Sequence, residues 1–215
     1  MKLVDRVQSH IESIYGIRVG EMAGDYLIDS LELSHLLQAN QSTVFPKELF
    51  LVNPKPEDDT VEVALYLCED LRSNLLLNDP RQGLHAENLS DFCMLIEGVS
   101  HFIYYLYKAA ADRPVTQLEL ELQAEVDKFV LLSLFTQSAG EVGVKLLQSL
   151  FEHYQLRSDL KEDEKQRYEE ASRLAEKYCY SLLENFSTWE KNDLLQEVRC
   201  FYELDQSQKI QKILA

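Results

Sequence analysis

From Tyr168 to Phe186 the chain repeats apolar residues at the spacing of one helix face: Tyr168, Ala171, Leu174, Ala175, Tyr178, Leu182, Leu183 and Phe186. Lys, Arg and Glu fill the opposite side, and Tyr180 falls off the stripe. A stripe this long on an otherwise charged helix has to be covered by other elements, so the chain is expected to build a helical assembly. The same period recurs elsewhere. Val4, Val7, Ile11 and Ile14 predict a short opening helix that ends at Gly16. A second helical turn is expected around Leu31–Leu37. Leu194, Leu195, Val198, Phe201 and Ile210 predict one last helix. With seven Gly and five Pro in 215 residues, the chain lacks the punctuation of a turn-dense all-β protein.

One stretch reads differently. Glu48–Val52 and Val61–Leu67 flank a segment holding Pro54, Pro56 and the acidic run Glu57–Asp59. Val61, Val63 and Leu65 alternate with Glu62, Ala64 and Tyr66, the period of a strand, and proline cannot donate to a ladder. A β-hairpin over residues 48–67 is therefore expected, with pairing stopped by the prolines and an acidic tip. Beyond it come a helix from an N-cap at Ser90 to about Ala111 and a break at Asp112–Pro114. Capping boxes at Thr116/Glu119 and Ser138/Glu141 then open two further helices, the second running through Leu147, Leu150, Phe151 and Tyr154. The fold class expected is mainly α (α+β), a helical bundle with a β-hairpin or small antiparallel sheet in the N-terminal third. Residues 1–137 would form the α+β core with two central helices, and 138–215 a helical extension packed on it as one structural unit.

Charge narrows the function classes. Lys and Arg number 21 against 37 Asp and Glu, a net charge of −16, which opposes direct binding to nucleic-acid phosphates or an anionic membrane. Phosphate-cradling glycine motifs are absent from the sequence. Lys2, Asp5 and Arg6 interrupt the N-terminus, so no signal peptide is read there, and Phe129–Phe135 is too short to span a bilayer. Cys68, Cys93, Cys179 and Cys200 show no ligand spacing. Together these predict a cytoplasmic protein with reduced thiols.

The constellation with chemical potential lies on two successive helices. With Val99 at the centre of the helix from Ser90, Phe92, Leu95, Ile96, Phe102, Ile103, Leu106 and Ala110 fall within about 60°. Glu97, His101, Tyr104 and Lys108 lie opposite, in the company of Cys93, Met94 and Tyr105. A helix apolar or aromatic nearly all round is covered on both faces, which places Glu97 and His101 in a partly buried setting. The next helix carries Glu121 and Glu125, also one turn apart, with Glu125 beside the stripe Leu118, Leu122, Val126 and Phe129. Cys93 lies two turns from His101, about 12 Å along the axis, too far for a thiolate–imidazole pair.

Over residues 48–133 this arrangement resembles the zinc peptidases of the gluzincin type. There a sheet edge precedes a helix bearing HExxH, and a second helix supplies an acidic ligand about twenty residues on. Here the segment Glu97-Gly-Val-Ser-His101 follows the hairpin, and nineteen residues (102 to 120) separate His101 from Glu121. The resemblance implies His101, Glu121 and Glu125, with Glu97 in place of the first His, as ligands of a divalent metal, Zn, Mn or Fe. Gly98 stands where that family has its catalytic Glu, so the general base for a metal-bound water is missing. The plainer account makes Glu97–His101 an i, i+4 pair worth roughly 0.2–0.5 kcal/mol, with no cofactor.

Two functions follow. The first is a non-catalytic acidic binding or regulatory protein acting through a protein partner. Glu57–Asp59 and Ser158–Glu164 would be its docking surface for a basic partner, or else plain solvated turns. Self-association through the Tyr168–Phe186 stripe is allowed. The second is a metalloprotein, a degenerate zincin-like hydrolase, built on Glu97, His101, Glu121 and Glu125.

Overall fold

The computed structural model describes residues 2–38, 44–55, 57, 60–136, 141–151, 161–185 and 191–215; for Glu141 and Lys191 only the backbone is described. The fold is mainly α with a small three-stranded sheet near the N-terminus. Among the described residues no helix is long and apolar enough to cross a membrane. The chain divides into two compact units: unit 1, Met1–Ser9 with Gly20–Ile103, and unit 2, His10–Val19 with Tyr104–Ala215.

Unit 1 begins in helix α1 (Leu3–Tyr15), whose Val4 and Val7 are buried as the spacing predicts. The buried Gln8 orders the passage after the helix. Its Nε2 donates to the Glu21 carbonyl at 2.7 Å and its Oε1 accepts from Ala23 N–H at 2.8 Å. Strand β1 (Leu27–Ile28) and helix α2 (Ser30–Leu36) follow, the helix closed by a full capping box between Asp29 and Glu32. Strands β2 (Glu48–Lys55) and β3 (Thr60–Leu67) form the expected hairpin, with Phe50 opposite Leu65.

Two details differ from expectation. Pairing does not stop at Pro54, which lies opposite Val61, with Lys55 opposite Thr60; Pro56 lies outside the described residues. The strand order β1-β3-β2 makes β2 an edge, where a residue without an N–H is tolerated. The sheet is also mixed, because β1 runs parallel to β3 with Leu27 beside Leu65. Of the acidic tip, Asp58 and Asp59 lie outside the described residues.

Helix α3 (Glu69–Leu77) was not signalled by a clean stripe; it buries Leu71 and Leu75 and is opened by Cys68, whose Sγ accepts from Leu71 N–H at 3.4 Å. Helix α4 (Ala86–Ala109) starts a turn before Ser90, which is an interior residue. The cap is built instead by Asn88. Its Oδ1 accepts from His85 N–H at 3.0 Å, while its Nδ2 donates to the carbonyls of Asn78 and Gly83 at 3.1 and 2.9 Å. Ile96, Val99 and Phe102 are fully buried, as is Ser100, and His101 is buried on another face, so α4 is covered as its composition predicts.

In unit 2, Gly16 ends α1 at φ +68°, with Ile17 N–H donating to the Glu12 carbonyl. Helices α5 (Gln117–Thr136), α6 (Glu141–Phe151), α7 (Glu162–Asn185), α8 (Lys191–Glu203) and α9 (Gln206–Leu214) complete it. Helix α5 packs mainly on α7, with α6 against both. The α7 stripe is buried from Ala171 to Leu183 and Tyr180 is exposed, as expected; Phe186 lies outside the described residues, as do Ser138, Tyr154 and Ser158–Leu160. The single final helix of the sequence pattern is two helices. Asp205 caps α9 in a capping box with Gln208, and that cap interrupts the helical run after Leu204. At Thr116 the hydroxyl accepts from Glu119 N–H at 3.1 Å, but the Glu119 carboxylate accepts from Tyr104 rather than completing a box.

Candidate functional site

The four ligand candidates of the sequence fall in both units. In unit 1, His101 is buried on α4. Its Nδ1 lies 3.6 Å from Glu48 Oε1 on β2, both side chains 8% exposed, and its ring faces Phe50 at 6.4 Å between centroids. Gly98 permits this approach of helix to sheet, since a Cβ there would stand 2.8 Å from Leu65 Cδ1 and 2.9 Å from Glu48 Cγ. Glu97 is half-buried one turn earlier. In unit 2, Glu121 and Glu125 are both buried on α5, and Glu125 Oε1 accepts from Lys128 Nζ at 2.7 Å. Among the described residues no three His, Cys, Asp or Glu side chains gather as a group that could hold a metal ion.

The buried polar chemistry of unit 2 centres on residues that the sequence did not single out as a site. Helix α5 is covered on all sides from Glu121 to Ser133, its charged residues included. Lys209, fully buried on α9, donates to Gln123 Oε1 and sits 4.4 Å from the Tyr104 ring centroid and 4.9 Å from that of Phe201. Gln123 Nε2 donates to Asp127 Oδ1 at 2.7 Å and to the Tyr15 hydroxyl at 3.2 Å, and that hydroxyl donates to Asp127. Lys108 donates to the carbonyls of Tyr202, Glu203 and Leu204 at 2.8, 3.1 and 3.2 Å, closing the C-terminal end of α8 with a cation.

Burial pushes the Lys209 ammonium down to about 7, against the pull of Glu119. It pushes Lys108 down to about 8, with Arg113 adding to the effect. Burial likewise drives the Tyr15, Tyr104 and Tyr202 hydroxyls well above their usual range. Amines of this kind can act as bases or nucleophiles. These two are 0% and 1% exposed, and each ties its own helix to another, Lys108 to α8 and Lys209 to α5. Lys209 shares a helix face with Ile213, one turn on, and both are buried.

Unit 1 carries an accessible cleft of about 510 Å³. Leu27, Leu67, Leu71, Leu75 and Leu95 form its apolar floor, and Lys2, Arg72, Asp79 and Arg81 its polar rim. Lys2 Nζ donates to the Gly24 carbonyl at 3.0 Å. Arg81 Nε donates to both Asp79 oxygens, at 2.8 and 2.7 Å, and this pairing holds the Asp79 carboxyl below its usual range. Arg72 is differently placed, with a buried Nε that meets no hydrogen-bond acceptor among the described residues. Leu76, on the cleft, and Leu77 beside it are 81% and 85% exposed. Unit 2 has clefts of its own, one of about 520 Å³ bordered by Tyr178, Glu197 and Lys212 and one of about 340 Å³ bordered by His10, Leu131 and Phe135.

Fold and site together describe a mainly helical α+β protein with an apolar, cation-rimmed cleft in its sheet-bearing unit. No family model, curated protein or solved structure matches the chain.

Proposed function

We propose that this is a non-catalytic binding protein that acts through a protein partner, and that unit 1 makes the contact. The observation that carries this function is the apolar cleft together with Leu76, which lines it and is 81% exposed to solvent. Single exposed leucines are ordinary, whereas apolar surface continuous with a groove marks interaction sites. The ionisable groups buried in unit 2 support the non-catalytic half, since the lysines and tyrosines described there tie helices to one another.

A basic partner recruited by the acidic turns was the sequence's candidate. Half of the residues of those turns (58, 59 and 158–160) lie outside the described residues, and unit 1 carries the proposal in their place. The net charge of −16 disfavours nucleic acid as the partner.

The test is site-specific photocrosslinking in cells, with a benzophenone-bearing amino acid in place of Leu77 or, as control, of the exposed Tyr180 in unit 2. A discrete protein adduct from position 77 but not from position 180, abolished by Leu76→Asp, is expected. No adduct at position 77, or one indifferent to Leu76→Asp, would remove the basis for the proposal.

A further inference from the structure

The geometry points to an acidic amphipathic helix of the partner as the occupant of the unit 1 cleft, an inference that rests on the binding function proposed above. The chain carries sixteen net negative charges, yet the cleft rim holds three cations, Lys2, Arg72 and Arg81, against one carboxylate. That carboxylate, Asp79, is taken up by Arg81. The Lys2 ammonium, with one of its three donors spent on Gly24, and the Arg72 guanidinium remain to face an occupant.

Arg72 makes the stronger case. Arg72 lines the cleft and its Nε meets no acceptor among the described residues, so a carboxylate delivered to this guanidinium forms a charge-assisted bond that the fold itself does not supply. Apolar side chains on the same occupant would cover the leucine floor.

The shape of the apolar surface selects a helix over a small amphiphile. On α3, Leu71 and Leu75 form one i, i+4 row on the cleft floor, and Arg72 and Leu76 form the adjacent row at its edge. Such rows are the ridges between which a second helix packs. Leu76, 81% exposed at the cleft edge, carries the apolar surface out of the cleft, farther than a small enclosed ligand would reach.

The charge arrangement also predicts unusual kinetics. An acidic occupant is repelled at long range by the −16 chain and attracted only near the rim. Added salt, which shortens the screening length from about 30 Å at 0.01 M to about 8 Å at 0.15 M, should therefore speed association. A basic partner held by the acidic surface would associate more slowly under the same change.

The experiment uses the full chain and two fluorescein-labelled helical peptides. They share leucines at i, i+3, i+4 and i+7 and differ in carrying Glu or Lys on the polar face. Fluorescence anisotropy should show saturable one-to-one binding of the Glu peptide, weakened about tenfold by Arg72→Gln and less by Arg72→Lys. It should be lost in Leu76→Asp, with each variant's urea unfolding unchanged. Stopped-flow association should accelerate severalfold from 10 to 150 mM salt.

The inference is overturned if the Glu peptide does not saturate, if Arg72→Gln leaves its affinity intact, or if association slows with salt. It is equally overturned if dodecanoate binds saturably and the peptide does not, which would make the cleft a site for a small carboxylate amphiphile. Photocrosslinking from position 77 that persists alongside any of these failures would leave the binding function standing and remove only the identity of the occupant. Loss of both signals would remove the two together.

Discussion

Unit 1 leaves leucine in solvent and unit 2 takes lysine out of it. On α3 of unit 1, Leu76 and Leu77 are more than four-fifths exposed beside an apolar cleft. In unit 2 the amines of Lys108 and Lys209 and the carboxylates of Glu119 and Asp127 are buried among tyrosines. Each arrangement is costly for a fold taken alone. Exposed apolar surface is uncovered area, and buried charge loses hydration that its partners replace only in part. The two costs serve different ends. The buried groups of unit 2 are closed by hydrogen bonds to one another, so they fix which helix lies against which. The exposed groups of unit 1 are open to the outside, and in the function proposed above a partner closes them.

The largest effect expected from breaking this contrast is in unit 2. Lys209→Ala removes the donor to Gln123 and the alkyl stem packed on Tyr104 and Phe201. It should destabilise the protein by about 3 kcal/mol in urea unfolding.

Next comes pH. Folding lowers the Lys209 and Lys108 pKa values from 10.5 to about 7 and about 8, so the unfolded chain binds more protons through that window. Stability should rise with pH, gaining about 3 kcal/mol between pH 7 and pH 9. The raised values of Tyr15, Tyr104, Tyr202 and Cys179 act the other way once their unfolded counterparts ionise. Stability should therefore peak near pH 9 to 10 and fall beyond. Urea midpoints across pH 6.5–10.5 check this, and a profile flat from 7 to 9 would mean that the amines are hydrated.

A smaller effect is expected within unit 1. Gly98→Ala gains helix propensity but drives a methyl against Leu65 and Glu48, a net loss of about 1 kcal/mol. It should also disturb the His101–Glu48 pair, visible as a shifted His101 ring resonance. Smallest is Leu76→Asp, which should change stability by less than about 0.5 kcal/mol.

Periodicity made the large helices legible in the sequence. The faces of α1 and α7, the hairpin, the break after α4 and the covering of α4 all follow from patterns of 3.6 or 2 residues. What periodicity could not show depends on contacts between distant residues. His101 is partnered by Glu48, far back on the sheet edge, and nothing local to the Glu97–His101 segment points there. Helix α3 was missed because only Leu71 and Leu75 turn inward, while Leu76 and Leu77 break the stripe by facing solvent.

Apolar residues continue on either side of Asp205 and so hide the break in the helical pattern that its capping side chain makes. Buried lysine is the hardest case. Lys108 and Lys209 carry the composition of a surface, and only the helix-end carbonyls and rings around them make the interior tolerable. The Arg72 donor and the cleft rim were illegible for the same reason, because their meaning lies in residues from four separate elements.

The most direct test is to measure partner binding and unfolding free energy on the same two variants, Leu76→Asp and Lys209→Ala. The prediction is a crossed result. Leu76→Asp should abolish the photocrosslinked adduct while keeping wild-type stability, and Lys209→Ala should lose about 3 kcal/mol while the folded fraction still forms the adduct. Binding and stability falling together in both variants, or an adduct that survives Leu76→Asp, would contradict the division of labour between the two units.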